Sequence, residues 1–223
     1  MTAELDHLVV GAATLEAGAE AVERLLGVRP SGGGRHEGAG THNLLLGLGP
    51  GAYLEVIAPD PQAPTPARPR LFGLDDQQVR RRIGTGPTLL TWVARTRDLD
   101  AALAGLGPSW ADAARAMSRG GLSWRLATPP LGEDLAGLVP GLIQWDGAEA
   151  AGLIADPGCR LLALEAEHPR AGDVLTVLRR AGAEALVTLR DGPAPRLTAR
   201  IRRADGRVVE LSADPSAANP PAA

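Results

Sequence analysis

The sequence predicts an α+β fold of two successive β-α-β-β-β units, residues 4–58 and 88–146, with a C-terminal β-α-β-β-β-like extension over 159–212. Three observations carry that expectation. Apolar runs of strand length and one helix-spaced run follow each other in the same order in both units. Laying Leu5-Asp6-His7-Leu8-Val9 over Leu89-Leu90-Thr91-Trp92-Val93 brings two helix-capping residues, Thr14 and Asp98, into line without a gap. The same order then recurs more loosely from Arg160 onward, and repetition at this scale marks a fold assembled from copies of one supersecondary unit.

The first unit opens with a strand over 5–10 and enters a helix at Thr14, whose hydroxyl suits the N-cap. Leu15, Ala19, Val22, Leu25 and Leu26 keep helical spacing until Gly27 ends the run. A weak strand over 28–37 precedes two runs, 42–48 and 52–58, whose Gly49-Pro50-Gly51 separator predicts an antiparallel hairpin. Residues 59–87 form a connector. Its first part holds five prolines in eleven residues and reads as extended chain. Arg80-Arg81-Arg82 then sits at a helix end, where cations complement the helix dipole.

The second unit has a strand over 88–94, a short helix over 99–106 and strands over 114–118, 122–128 and 139–146. The extension has a strand over 160–165, a helix over 171–181, a strand over 185–189 and a hairpin turning on Asp205-Gly206. Three units cannot pair off within one chain, so the extension is expected to cover a sheet edge or to meet its counterpart in a homodimer. The Ala/Pro-rich tail, 213–223, is expected to be disordered, which leaves residues 1–148 as the main domain.

Composition narrows the chemistry. All 23 basic residues are arginine, so Schiff-base chemistry, pyridoxal-phosphate attachment and a P-loop lysine are excluded. A single cysteine, Cys159, excludes internal disulfides and thiolate zinc clusters. Six aromatic residues and a net charge of −3 suit neither a nucleic-acid stacking platform nor attraction to an anionic membrane. No signal-like segment precedes the first strand, so a cytoplasmic protein acting on a small molecule is expected.

Leu5-Asp6-His7-Leu8-Val9-Val10, Ala52-Tyr53-Leu54-Glu55-Val56-Ile57-Ala58-Pro59 and Gly141-Leu142-Ile143-Gln144-Trp145-Asp146, at the start and the ends of the two units, resemble the vicinal-oxygen-chelate superfamily and its glyoxalase-like branch. The resemblance covers residues 4–146. It implies a curved mixed sheet, formed by the paired units, that wraps a ligand cavity. It also implies a divalent metal held by the first and last strands of each unit, here at His7 and Glu55 and, by the alignment, at Thr91 and Gln144. Two activities follow from the resemblance. One is a lyase, isomerase or ring-cleaving dioxygenase acting on a small oxygenated metabolite. The other is a module that sequesters a small molecule without metal or chemistry.

Strand alternation places His7 on one face with Leu5 and Val9, and Glu55 on one face with Tyr53 and Ile57. An imidazole and a carboxylate converging on one cavity suit Zn, Ni, Fe or Mn, and Glu55 is also the candidate catalytic base. The second unit departs from the metal pattern, since a threonine and a neutral amide are poor ligands. Tyr53, Thr91 and Gln144 are candidate substrate contacts. His42 is a candidate cavity-wall residue, with a third metal ligand or a proton shuttle as alternatives. Arg125 is a candidate cavity cation for a carboxylate or phosphate, with a solvent-facing edge arginine as the alternative. Trp92, Trp124 and Trp145 are expected to pack as core, Trp110 to act as a lid, and His36 and His168 receive no role.

Overall fold

A computed structural model describes residues 2–130 and 135–213. The expected tail lies outside the described residues apart from Ala213. The first unit runs β1 (Glu4–Gly11), α1 (Leu15–Leu26), β2 (Ser31–His36), β3 (Thr41–Gly47) and β4 (Tyr53–Pro59). The connector carries a 3-10 turn at Leu71–Gly73 and α2 (Gln77–Thr85). The second unit runs β5 (Thr88–Arg95), α3 (Leu99–Leu106), β6 (Ala114–Arg119), β7 (Leu122–Ala127) and β8 (Gly141–Trp145). The extension runs β9 (Arg160–His168), α4 (Ala171–Ala181), β10 (Thr188–Asp191), β11 (Arg196–Arg202) and β12 (Val208–Ser212).

The helix boundaries follow from the caps. Thr14 Oγ1 accepts from the Ala17 amide at 3.2 Å, and Gly27 closes α1 in the left-handed region at φ 75°. Asp98 accepts from the Ala101 amide at 2.9 Å to start α3, as Asp76 does from Gln78 at 2.7 Å for α2. Among the described residues no helix is long and apolar enough to cross a membrane.

The two units form one eight-stranded, curved and nearly closed sheet in the order β2-β3-β4-β1-β5-β8-β7-β6. Each unit contributes four strands of identical topology, its first strand running parallel to its last. The units join through antiparallel β1 and β5, where His7 lies opposite Val93 and Val9 opposite Thr91. That register is two-fold symmetric and makes Thr91 the counterpart of His7. On the convex face Leu8, Val10, Leu54, Val56 and Trp92 pack beneath the helices. On the concave face Val9, Leu45, Ile57, Val93, Trp124 and Ile143 form a second, smaller cluster. The open edges, β2 and β6, approach where Arg119 of β6 crosses to Asn43 of β3. Gly34 leaves room for that crossing, since a Cβ there would stand 3.1 Å from Arg119 Cδ.

The extension has the expected element order but a different pairing. Its sheet runs β10-β9-β11-β12, so β9 is central and β10 lies parallel beside it. The chain returns through α4 directly to the neighbouring position and makes an ordinary β-α-β crossover, whereas in the other units the strand after the helix lies at the far edge. The extension packs on the convex face and not along an edge. Leu164, Val174, Leu178, Ala199 and Ile201 join the cluster that holds Leu8 and Trp92, and the amides of Ala3 and Leu161 donate to Gly182 and Leu48 across the junction.

Candidate functional site

The site grows from a local irregularity in β1. The β1–β5 ladder slips between Leu5 and His7, so two consecutive side chains, Asp6 and His7, serve the concave side where alternation would give only one. Asp6 Oδ1 takes the His7 Nδ1 hydrogen at 2.6 Å, and Asp6 Oδ2 accepts from Trp145 Nε1 at 2.8 Å. Tyr53 stacks on the His7 ring with centroids 4.7 Å apart. Held at Nδ1, His7 turns Nε2 toward Glu55 Oε2 at 3.5 Å.

Glu55 is fixed from its other side. Asn43 Nδ2 donates to Glu55 Oε1 at 2.5 Å, while Asn43 Oδ1 accepts from Arg119 Nη1 at 2.6 Å and from the Gly34 amide at 3.0 Å. His36 completes the cluster, with Nδ1 3.0 Å from Thr41 Oγ1 and Nε2 facing Asn43 Nδ2 at 3.2 Å and Arg119 Nη1 at 3.3 Å. Donors surround that Nε2, so it is the acceptor and Nδ1 carries the hydrogen.

Burial sets the charges. Desolvation alone would lower His7, but the hydrogen bonds to Asp6 and then Glu55 overcome it and raise the imidazole to about 9. Desolvation would raise Glu55, and the bond from His7 outweighs it, holding the carboxyl down at about 2. For His36 burial wins and lowers it to about 4. At neutral pH the centre is therefore an imidazolium against an ionised Glu55, with a neutral His36 nearby.

His7, Glu55 and Tyr53 thus come together in one cavity, as their shared faces require. The other candidates lie elsewhere. His42 shares its face with Leu44 and Leu46, as expected, but that face is the convex one. Arg125 leaves the cavity and pairs with Asp100 of α3 at 2.6 Å. Gln144 Oε1 accepts the Leu99 amide at the start of α3, at 2.8 Å. The second unit's parity is the reverse of the expected one: Trp124 and Trp145 line the cavity, and Arg125 and Gln144 face the helices. Ladder register explains the difference. Gly141 lies opposite Val93 as Glu55 lies opposite Val9, so the counterpart of Glu55 is Gly141, which has no side chain. Trp110 is buried and not a lid. Asp6, His36, Asn43 and Arg119 were missed; the signal for Arg119 is its two-residue spacing from Met117, which shares its cavity face.

The free space at the His7–Glu55 pair is about 30 Å³, room for about two waters. Phe72 of the connector closes it, its ring edge-on to His7 at 6.5 Å and its backbone in the left-handed region at φ 53°. On the other side of Phe72 lies a larger space of about 450 Å³ that includes Thr91, Leu90, Val79 and Arg82.

Members of the superfamily often bind divalent metals, but these residues do not fit one. Among the described residues no group of three or more His, Cys, Asp or Glu is arranged to hold an ion. His36 Nε2 is 3.9 Å from Glu55 Oε1, yet it faces a guanidinium and an amide N–H, and the second unit offers only Thr91 and Gly141 in the equivalent places.

The chain matches the glyoxalase-like domain family over residues 5–182, through the end of α4. No curated protein matches it. Among solved structures, a hypothetical protein from Staphylococcus aureus is 13% identical with a TM-score of 0.60, over 87% of this chain and 88% of that one. That likeness is one of fold alone. A methylmalonyl-CoA epimerase of Streptomyces coelicolor bound to 2-nitronate-propionyl-CoA is 18% identical over 67% of this chain and 99% of its own, with a TM-score of 0.44. The Mycobacterium tuberculosis epimerase is 19% identical over 67% and 91%, with a TM-score of 0.40. With twin four-stranded units joined two-fold through β1 and β5, and a family match across most of its length, the chain belongs to the glyoxalase-like domain family of the vicinal-oxygen-chelate superfamily.

Proposed function

We propose that the protein is a metal-independent lyase or isomerase that moves a proton at the carbon beside a carbonyl group. Glu55 is the base, and the His7 imidazolium is the electrophile where many members of the superfamily use a metal. The observation that carries this reading is the loose 3.5 Å contact between His7 Nε2 and Glu55 Oε2, backed by the short Asp6 bond at Nδ1. A ring-cleaving dioxygenase needs a redox metal, for which the donor set gives no support.

A carbonyl oxygen entering as Phe72 swings aside competes with Glu55 for the His7 Nε2 hydrogen. Once that bond passes to the substrate, Glu55 loses the largest influence holding its pKa down, and burial makes it a stronger base. The adjacent C–H bond breaks, its proton goes to Glu55, and the electron pair moves through the carbonyl to an oxyanion held by His7. Asp6 keeps the imidazolium charged and oriented. Returning the proton to another position or face gives isomerisation, and expelling a β-substituent gives elimination. A positioned base and a preorganised oxyanion donor are each worth about two or more orders of magnitude in rate.

The test is proton NMR in deuterium oxide with chelator-treated protein and a panel of small oxo and hydroxy carbonyl compounds. Exchange of the activated C–H is expected to survive chelation and to fall at least about 100-fold in both Glu55→Gln and His7→Gln. Exchange restored to stripped protein only by added divalent ions would overturn the metal-free reading. Tight binding with no exchange of any ligand would leave the sequestering module in its place.

A further inference from the structure

We propose that Arg119 is the carboxylate-binding residue of this cavity, and that the substrate is a short carboxylate whose carbonyl lies one carbon away. The inference rests on the reading of the His7–Glu55 cavity as the substrate site and names the class of molecule it takes.

Arg119 is the one arginine among the described residues lining that cavity. It differs from its surface counterparts in what it pairs with. Arg70, Arg95, Arg125 and Arg160 each contact a carboxylate within 2.7 Å, whereas among the described residues Arg119 makes no ion pair. Its bonds run from Nη1 to the neutral Asn43 amide and toward the neutral His36 ring. Trp124 supports the guanidinium from the side, 6.0 Å from Cζ to the ring centroid, and a π face takes up none of the in-plane N–H donors. A planar guanidinium with unspent donors at a cavity wall is the group that recognises a carboxylate in two-point fashion.

The order of these side chains then sets the order of groups along the ligand. Arg119 reaches Glu55 through Asn43, at Oε1, while His7 meets Glu55 at Oε2. Glu55 therefore stands between the two cations. A ligand with its carboxylate at Arg119 and its carbonyl at His7 holds the intervening carbon over Glu55, and that carbon's hydrogens are the ones a carbonyl acidifies. A 3-oxo carboxylate meets this requirement, with the single C2 carbon between its carboxylate and its carbonyl.

The experiment compares anionic acetoacetate with its near-isosteric neutral counterpart, acetoacetamide, by isothermal titration calorimetry on the full chain. Wild-type protein is expected to bind acetoacetate about tenfold to a hundredfold more tightly, the range for a charge-assisted bond. Arg119→Met is expected to remove that preference, so that acid and amide bind within about twofold of each other. Arg119→Lys is expected to keep a weakened preference, since charge remains and the planar fork is lost. Glu55→Gln separates this proposal from the catalytic one. It should retain the preference while losing C2 exchange, whereas absent exchange with intact preference in the wild-type protein sinks the mechanism and spares the subsite. If Arg119→Met fails to fold because the sheet-closing contact is needed, the wild-type comparison and Arg119→Lys still decide. Equal affinity for acid and amide in the wild-type protein overturns the proposal, as does an undiminished preference in Arg119→Met.

Discussion

At the scale of single residues, the buried histidines tie stability to pH in opposite senses. His7 holds its proton up to about 9 when folded against a usual 6.5, so its contribution is complete below pH 6.5 and is lost as the pH rises through 9. His36 is neutral when folded, down to about 4, so its contribution is present above 6.5 and is lost as the pH falls toward 4. Glu55, held at about 2 against 4.5, adds a loss below pH 4.5. Stability should therefore peak near pH 6.5. Urea midpoints measured from pH 4 to 10 are expected to fall on both sides in the wild-type protein, and His7→Gln is expected to abolish most of the alkaline fall. An alkaline slope unchanged in that variant would mean that His7 is not the charged group described. The partners behind these shifts explain what the sequence made legible. Period-two alternation put His7 and Glu55 on cavity faces, but Asp6 reaches the same side through a slip that alternation cannot encode. Alternation also tells which side chains share a face without telling which face is concave, so Arg125 and Gln144 were expected where Trp124 and Trp145 stand.

At the scale of elements, caps and turn residues were the most readable part of the chain because each acts within a few residues. Thr14, Asp98 and Gly27 end their helices where their chemistry requires, and Gly49-Pro50-Gly51 turns β3 into β4. The close seating of α1 on the sheet depends instead on a contact distant in sequence. Gly18 packs where a Cβ would stand 2.4 Å from Val56 Cγ1, and Val56 on β4 is fully buried. Gly18→Ala therefore sets two effects against each other. Alanine gains about 1 kcal/mol of helix propensity, and overpacking a rigid β-branched neighbour costs about 1–3 kcal/mol. The clash should win, because Val56 sits in the middle of a strand and has no open side to move toward. Thermal melts are expected to show a lower midpoint for Gly18→Ala, recovered in Gly18→Ala with Val56→Ala, where the added methyl finds space. A raised midpoint in the single variant would show that α1 shifts freely on the sheet.

At the scale of the whole molecule, the question is whether the extension is a separate body or part of one cooperative unit. Local signals gave its element order but not its pairing, because only tertiary contacts decide whether the strand after a helix lies beside the first strand or across the sheet. Its docking was equally hidden, since an amphipathic α4 reads the same whether it covers a sheet edge or a sheet face. In the structure α4 lies against α3, and Leu178 is fully buried in a cluster that runs without a break to Trp92 and Leu8. All four tryptophans, Trp92, Trp110, Trp124 and Trp145, precede the extension, so their fluorescence reports the first two units and, through Trp92 and Trp110, their shared core with the extension. Leu178→Ala removes a buried side chain from α4 at a cost of about 2–5 kcal/mol. In a shared core that cost is felt by the whole, and the tryptophan transition in guanidinium should move to lower denaturant together with far-ultraviolet circular dichroism. A tryptophan transition that stays at the wild-type midpoint while part of the dichroism signal is lost earlier would show two units that unfold separately. The continuous apolar junction, with backbone hydrogen bonds at Ala3 and Leu161 across it, argues for the single transition.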